Sequence, residues 1–297
     1  MNVLVTGANG FVGHYLVKKL LPGHKVIATG RGECRLSFEA DNFVYEPMDF
    51  TDPFAVHDVF EKYKPDVVVH AGAMGKPDEC EEQQWQTYIV NVEGTVTLLT
   101  NAAEINSFFV YVSTDFVFSG EKGDYIEEDA TGPVNYYGKT KQEAEDAVRE
   151  YEASWAIVRT VLVYGQPLSG RSNILTIVKD KLEKNESYNV VDDQMRTPTY
   201  VEDLAEGIVK IIDQRATGIF HLSGQEKLTP YRMAQETALY LGLDKELIRR
   251  VTAANFSQLA KRPANTSFII SKARALLGYE PVSFREGLER MFPKQDQ

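Results

Sequence analysis

Three glycines at a spacing of three, Gly7-x-x-Gly10-x-x-Gly13, stand directly behind the apolar run Asn2–Thr6 at the start of the chain. A strand that ends in such a triplet and passes at once into helical periodicity has few folds open to it. The first glycine allows a tight turn. The second lets the backbone approach an anion closely, and the third lets the helix pack against the strand. Free N–H groups and the positive end of the helix dipole then favour a phosphate at this turn. Phe11 and Val12 lie inside it. Tyr15, Leu16 and Leu20 continue the apolar face of the helix until Pro22-Gly23 stops it.

Strand and helix signals alternate onward from there. Residues 25–29, 66–70, 108–113 and Trp155–Thr160 are short β-branched or apolar runs, and a third strand is expected ahead of Asp49. The runs lack polar alternation, which suits a parallel sheet covered on both faces. Asp52-Pro53 reads as an N-cap followed by proline at the first helical position, opening a helix to about Lys62. Helices are expected over about 81–104 and 136–151. Repeated β-α-β units with right-handed crossovers give an α/β fold, a doubly wound parallel Rossmann sheet. Beyond about Val163 the regularity falls. Helices are expected at 173–184 and 201–213, strands at 187–191 and 218–222. Short helices are expected near 230–242, 245–250, 255–260, 271–277 and 283–292. Residues 1–162 are read as a dinucleotide-binding domain and 163–297 as mainly a smaller α/β substrate-binding lobe. The helix at about 199–214 is expected to pack back on the first domain.

Composition narrows the partners. Among 297 residues, 32 Lys and Arg face 43 Asp and Glu, a formal net charge of −11. Such a surface repels nucleic-acid backbones and anionic membranes, so neither is an expected partner. No run of 18 apolar residues suggests a membrane span, and the first residues lack the form of a signal peptide. Cys34 and Cys80 make no disulfide framework and fit a reducing, cytoplasmic compartment. His14, His24, His57, His70 and His221 are scattered, with no zinc-type spacing, so no metal is expected.

The end of the second strand bears on which dinucleotide is bound. A carboxylate at its end would bind the 2′-hydroxyl of NAD. Thr29-Gly30-Arg31-Gly32 offers a guanidinium instead, with Glu33 just beyond. This favours NADP(H), with NAD(H) left open. Asp49 and Phe50, behind the third strand, are placed to flank an adenine.

Tyr137 and Lys141 lie four residues apart on an expected helix and so share a face. A phenol titrates near pH 10, too high for efficient proton exchange at neutral pH. A neighbouring ammonium favours the phenolate, and the lysine can also hold a ribose. Ser113 or Thr114, at the carboxyl end of an upstream strand, supplies a hydroxyl for a substrate carbonyl.

Together with the Ala71-Gly72-Ala73 turn and Asn91, these segments resemble the extended short-chain dehydrogenase/reductase family. Ser113–Phe118, Pro133–Glu145, Asp193-Gln194, Pro198-Thr199 and Arg262-Pro263 resemble its dTDP-4-dehydrorhamnose reductase branch across nearly the whole chain. The resemblance implies hydride delivery from NAD(P)H to the C4 ketone of a nucleotide-linked 4-keto-6-deoxysugar. Tyr137 would be the acid, Lys141 its tuning group, Thr114 the carbonyl orienter and Asn91 a support for the proton relay. Asn173, Arg196 and Arg262 are candidates for the substrate diphosphate. The chain departs from the branch at Leu162 and Phe284, where tryptophan is usual, and at Ser119, where aspartate is usual. Leu162 bears on the sugar. A nucleotide-sugar epimerase of the same fold remains open, although dehydratases typically follow the threonine with Asp-Glu and this chain has Asp115-Phe116. So does a non-catalytic subunit similar to the regulatory subunit of methionine adenosyltransferase. The helices near 81–104 and 136–152 offer a homodimer face.

Overall fold

In the computed structural model, which describes residues 1–168, 172–255 and 259–293, side chains of successive strand residues alternate between two covered faces. Val3 and Val5 enter one apolar cluster and Leu4 the other; Val26 and Ala28 part from Ile27 in the same way, as do Val67 and Val69 from Val68. This explains the uninterrupted apolar runs: with both faces covered, the strands have no solvent-facing side on which polar residues would alternate.

The first half runs β1 (Asn2–Thr6), α1 (Phe11–Leu20), β2 (Lys25–Gly30), β3 (Phe43–Pro47), α2 (Pro53–Tyr63), β4 (Val67–His70), α3 (Pro77–Glu82), α4 (Gln84–Tyr88), α5 (Gly94–Glu104), β5 (Phe108–Thr114), α6 (Tyr136–Arg149) and β6 (Trp155–Thr160). Asp52 caps α2 by accepting from the backbone of Phe54 and Ala55, ahead of Pro53. The continuous helix expected over 81–104 is instead broken. Gln83 leaves helical geometry at φ −120°, ψ 53°, and residues 89–93 form a π-helical turn before α5.

The second half adds β7 (Val163–Tyr164), α7 (Ile174–Glu183), β8 (Tyr188–Val191), β9 (Thr199–Tyr200), α8 (Val201–Gln214), β10 (Gly218–His221), α9 (Pro230–Leu241), β11 (Ile248–Val251), α10 (Ser271–Leu277) and α11 (Phe284–Met291). The helix expected over 245–250 is corrected. Only a short 3-10 turn forms at Lys245–Leu247, and Ile248–Val251 pairs parallel with β8. Ile248 is buried and Arg249 and Arg250 are exposed, a pattern an edge pairing satisfies better than a helix. The helix expected over 255–260 lies partly outside the described residues.

Seven strands form the main sheet in the order β10-β6-β5-β4-β1-β2-β3, and every pairing in it is parallel. Its last strand comes from beyond the expected boundary at 162: β10 pairs with β6, Gly218 opposite Ala156 through His221 opposite Arg159. α8 places Leu204, Ile208 and Ile211 in the same cluster as Leu16 and Leu20 of α1. The smaller lobe is therefore built from two stretches of chain, one that leaves the sheet after β6 and returns through α8, and one drawn from the chain after β10. Its own core joins Tyr164, Leu175, Met233 and Leu288, with a neighbouring cluster around Val178, Val190 and Ile248. No helix among the described residues is long and apolar enough to cross a membrane.

Candidate active site

A cleft of about 720 Å³ opens at the carboxyl ends of the strands. One wall is the glycine turn. Gly7 has φ +68°, and a Cβ there would lie 2.8 Å from the backbone of Gly72. A Cβ on Gly13 would lie 2.3 Å from the Gly7 carbonyl oxygen. The turn after β1, the start of α1 and the Ala71-Gly72-Ala73 turn thus touch backbone to backbone, and no side chain fits between them. Gly7, Gly10, Phe11, Val12, Gly13, Ala71, Gly72 and Ala73 all line the cleft. α1 has no acidic residue in its first turn and Gly10 offers no capping side chain, so its N–H groups are left for an anion.

The rim beside this turn carries two guanidinium groups, not one. Arg31 and Arg35 both line the cleft. Asn9 shapes their loop. Its amide donates to the Glu33 carbonyl at 3.0 Å and to the Tyr45 hydroxyl at 2.7 Å, and its Oδ1 accepts from the Arg35 backbone at 2.9 Å. Sequence reading missed Arg35 and Asn9; the second arginine of the Gly30–Arg35 turn was the available signal. Asp49 and Phe50 also line the cleft. Asp49 accepts from the backbone and hydroxyl of Thr51, and the Phe50 ring packs on Gly72 and Gly94, where a Cβ would come within 2.6 Å.

The other groups converge through one close contact. A Cβ on Gly138 would lie 2.2 Å from the Phe116 carbonyl oxygen, so α6 begins directly on the turn that follows Thr114. Asn135 caps this end, accepting from Gly138 N–H at 2.8 Å and donating to the Lys261 carbonyl at 2.8 Å. The Tyr137 ring meets Phe116 edge-on, centroids 5.8 Å apart. Lys141 is buried, donates to the Val112 carbonyl at 2.8 Å and lies 4.0 Å above the centre of the Tyr111 ring. Burial pulls its pKa down to about 7, against an upward pull from Glu145. Thr114, Tyr137 and Lys141 all line the cleft. The Thr114 hydroxyl accepts from Phe116 N–H at 3.2 Å and donates to Asp115 Oδ1 at 3.1 Å.

Ser113, the alternative hydroxyl, donates to Glu145 Oε1 at 2.6 Å. Glu145 is wholly buried and paired with the equally buried Arg159 at 2.7 Å. Neither partner was singled out from the sequence, because a helix residue and a strand residue fourteen positions apart carry no pairing pattern. Asn91 sits in the π-helical turn and does not line the cleft. Its side chain accepts from Met74 N–H at 2.8 Å and donates to the Met74 carbonyl and the Thr140 hydroxyl, each at 3.1 Å. It anchors the 71–75 loop to α6.

The residues expected to hold a diphosphate fare differently from one another. Arg262 lines the cleft, and its guanidinium forms a two-pronged ion pair with Asp78 of α3 at 2.8 and 2.9 Å. That pair holds the Asp78 carboxyl below its usual range. Asn173 also lines the cleft, but its amide caps α7 in a reciprocal box with Thr176 and donates to the Gly165 carbonyl at 2.6 Å. Arg196 is buried outside the lining. It donates to the carbonyls of Met195 (2.8 Å) and Pro263 (2.7 Å) and stands 3.8 Å from Asp115. Burial raises the Asp115 pKa, with Arg196 opposing. Arg196 holds the chain that carries Arg262. Leu162, at φ +34°, lies half-exposed on the cleft wall.

The model of the family described as the RmlD substrate binding domain matches residues 1–296. The chain belongs to this family. Methionine adenosyltransferase 2 subunit beta of Pongo abelii is 33% identical over 98% of this chain and 87% of its own length. The dTDP-4-dehydrorhamnose reductase of Aggregatibacter actinomycetemcomitans is 30% identical over 97% of each. The solved dTDP-4-dehydrorhamnose reductase of Bacillus anthracis, in complex with NADP, superposes with a TM-score of 0.84 at 27% identity, covering 98% of both chains. RmlD-domain relatives thus include a reductase of a nucleotide sugar and a subunit of another enzyme.

Proposed function

We propose that this chain is an NAD(P)H-dependent reductase of a nucleotide-linked 4-keto-6-deoxysugar, with dTDP-4-dehydrorhamnose the leading substrate and NADP(H) the preferred cofactor. The observation that carries the reading is the meeting in one cleft of the glycine turn with Thr114, Tyr137 and Lys141. A dinucleotide fits the residues present. The cradle formed by Gly7, Gly13 and Gly72 excludes side chains and leaves room for a pyrophosphate at the start of α1. Arg31 and Arg35 offer the charge a 2′-phosphate needs.

When bound, the reduced nicotinamide supplies the hydride. Tyr137 gives its phenolic proton to the C4 oxygen as charge develops there. Lys141, cationic inside a low-dielectric site, stabilises the phenolate left behind and holds a ribose. Thr114 orients the carbonyl by turning its hydroxyl from Asp115 to the substrate. Arg262 meets the diphosphate by exchanging Asp78 for it. The test is NADPH oxidation with dTDP-4-dehydro-L-rhamnose. Absence of turnover there, with turnover on another nucleotide ketosugar, moves the substrate. NAD that stays bound through purification favours an epimerase.

The subunit-beta relatives support a second reading, a non-catalytic partner of methionine adenosyltransferase. Stimulation of that enzyme by this chain, undiminished in Tyr137→Phe and without ketosugar turnover, would establish it.

A further inference from the structure

Lys141 is almost wholly buried, yet no carboxylate is free to balance it. Glu145, one helical turn on, is already engaged by Arg159, Arg149 and Ser113. The other titratable groups around the ammonium are Tyr137 on the same helix, His70 on β4 and Tyr111 on β5. His70 is held neutral by burial, its pKa near 3, between the hydroxyls of Thr6 and Thr95. Against the ammonium stand the carbonyl oxygen of Val112, at 2.8 Å, and the flat side of the Tyr111 ring, 4.0 Å from its centre.

Tyr111 is completely buried, with its hydroxyl beside Thr95. What it offers the ammonium is the face of its ring. A cation is drawn to an aromatic face most strongly where water is absent.

We propose that Tyr111 is a positioning residue whose ring face carries the Lys141 ammonium, holding it cationic and aimed at Tyr137. This rests on the role given to Lys141 in the proposed reaction. Tyr111 touches neither reacting group of the substrate and acts only through the lysine. The class of interaction is electrostatic attraction to the ring quadrupole, not packing, and the hydroxyl is dispensable to it.

The direct measurement is the protonation midpoint of Lys141 in the folded protein, read from its side-chain amine resonance by NMR. Lys141→Met identifies the signal. Three proteins are compared: wild type, Tyr111→Phe, and the chain with pentafluorophenylalanine at position 111. The last keeps a ring of similar size but abolishes its negative face, so misfolding is not the expected cause of a change. Tyr111→Phe is expected to keep the wild-type midpoint. The pentafluoro ring is expected to lower it by about one pH unit, the order expected for a desolvated cation over a ring. Equal midpoints in the Phe and pentafluoro proteins overturn the proposal. A fall already present in Tyr111→Phe also overturns it, because the hydroxyl is then the support. Neither outcome depends on turnover. Where turnover is found, the alkaline limb of kcat/KM moves down with the midpoint. A shifted midpoint with an unmoved limb leaves the ring platform standing and refutes the catalytic use of Lys141.

Discussion

The two walls of the cleft are made of different material. The wall from the first half is framed by backbone contacts: Gly7 against Gly72, Gly13 against Gly7, Gly138 against Phe116, each closed to a Cβ. The wall from the second lobe is side chains that already have partners, Asn173 capping α7 and Arg262 paired with Asp78, with Arg196 behind it holding carbonyls. A backbone wall has one shape and accepts one kind of ligand. A side-chain wall can exchange partners. In the proposed reaction, the chemistry falls to the first wall and the choice of sugar to the second.

Substitutions on each wall can break this contrast. Tyr137→Phe should have the largest effect, lowering kcat/KM by about 10³ while the Kd for NADPH stays nearly constant. Unchanged turnover removes Tyr137 as the acid. Next comes Arg196→Met, which leaves Asp115 buried beside no cation and should destabilise the fold by about 3 kcal/mol, read as a shift in denaturant midpoint. A change confined to substrate KM, at full stability, would return Arg196 to the substrate wall. Arg31→Ala with Arg35→Ala should weaken NADPH relative to NADH by a few tens of fold, as expected for two lost charge-assisted contacts. Arg262→Ala should raise the sugar-nucleotide KM by about tenfold with kcat largely kept; a loss in kcat alone contradicts the partner exchange with Asp78.

The smallest effect is one of pH. In the proposed reaction Lys141 must be cationic, and burial pulls its pKa down to about 7. In the free enzyme kcat/KM should fall to about half its plateau there and decline further as pH rises. Stability runs the other way. The unfolded lysine titrates near 10.4, so between about 7 and 10.4 the unfolded chain binds the extra proton and folding gains as pH rises. Lys141→Met should abolish that gain.

Much of the first wall was legible in the sequence because its signals are local. A glycine triplet, an apolar run and a Tyr/Lys pair four apart each occupy one element. The small residue Gly138, between Tyr137 and Lys141, was a further local sign of the close approach to Phe116. The second wall was not legible in the same way. Whether an arginine faces a cleft or the carbonyls of its own chain depends on residues far apart in sequence, as Arg196 and Pro263 show. The Glu145–Arg159 pair escaped for that reason. The break at Gln83 escaped for another: residues 81–84, Glu-Glu-Gln-Gln, all suit a helix, and no glycine or proline there marks a stop.

The return of the chain through α8 to β10 has a practical consequence. No single cut separates the two halves. A fragment ending at 162 would lose the strand that covers the β6 edge and the helix that covers Leu16 and Leu20. It would present unpaired backbone N–H and C=O groups beside bare apolar surface, the combination that templates edge-to-edge aggregation. Beyond β10, Phe268, Ile270, Ala273, Leu277 and Tyr279 pack into the same cluster as Leu16 and Leu20. Any division of this molecule for study has to take residues 1–162 together with the stretches from 199 to 222 and from 268 to 279.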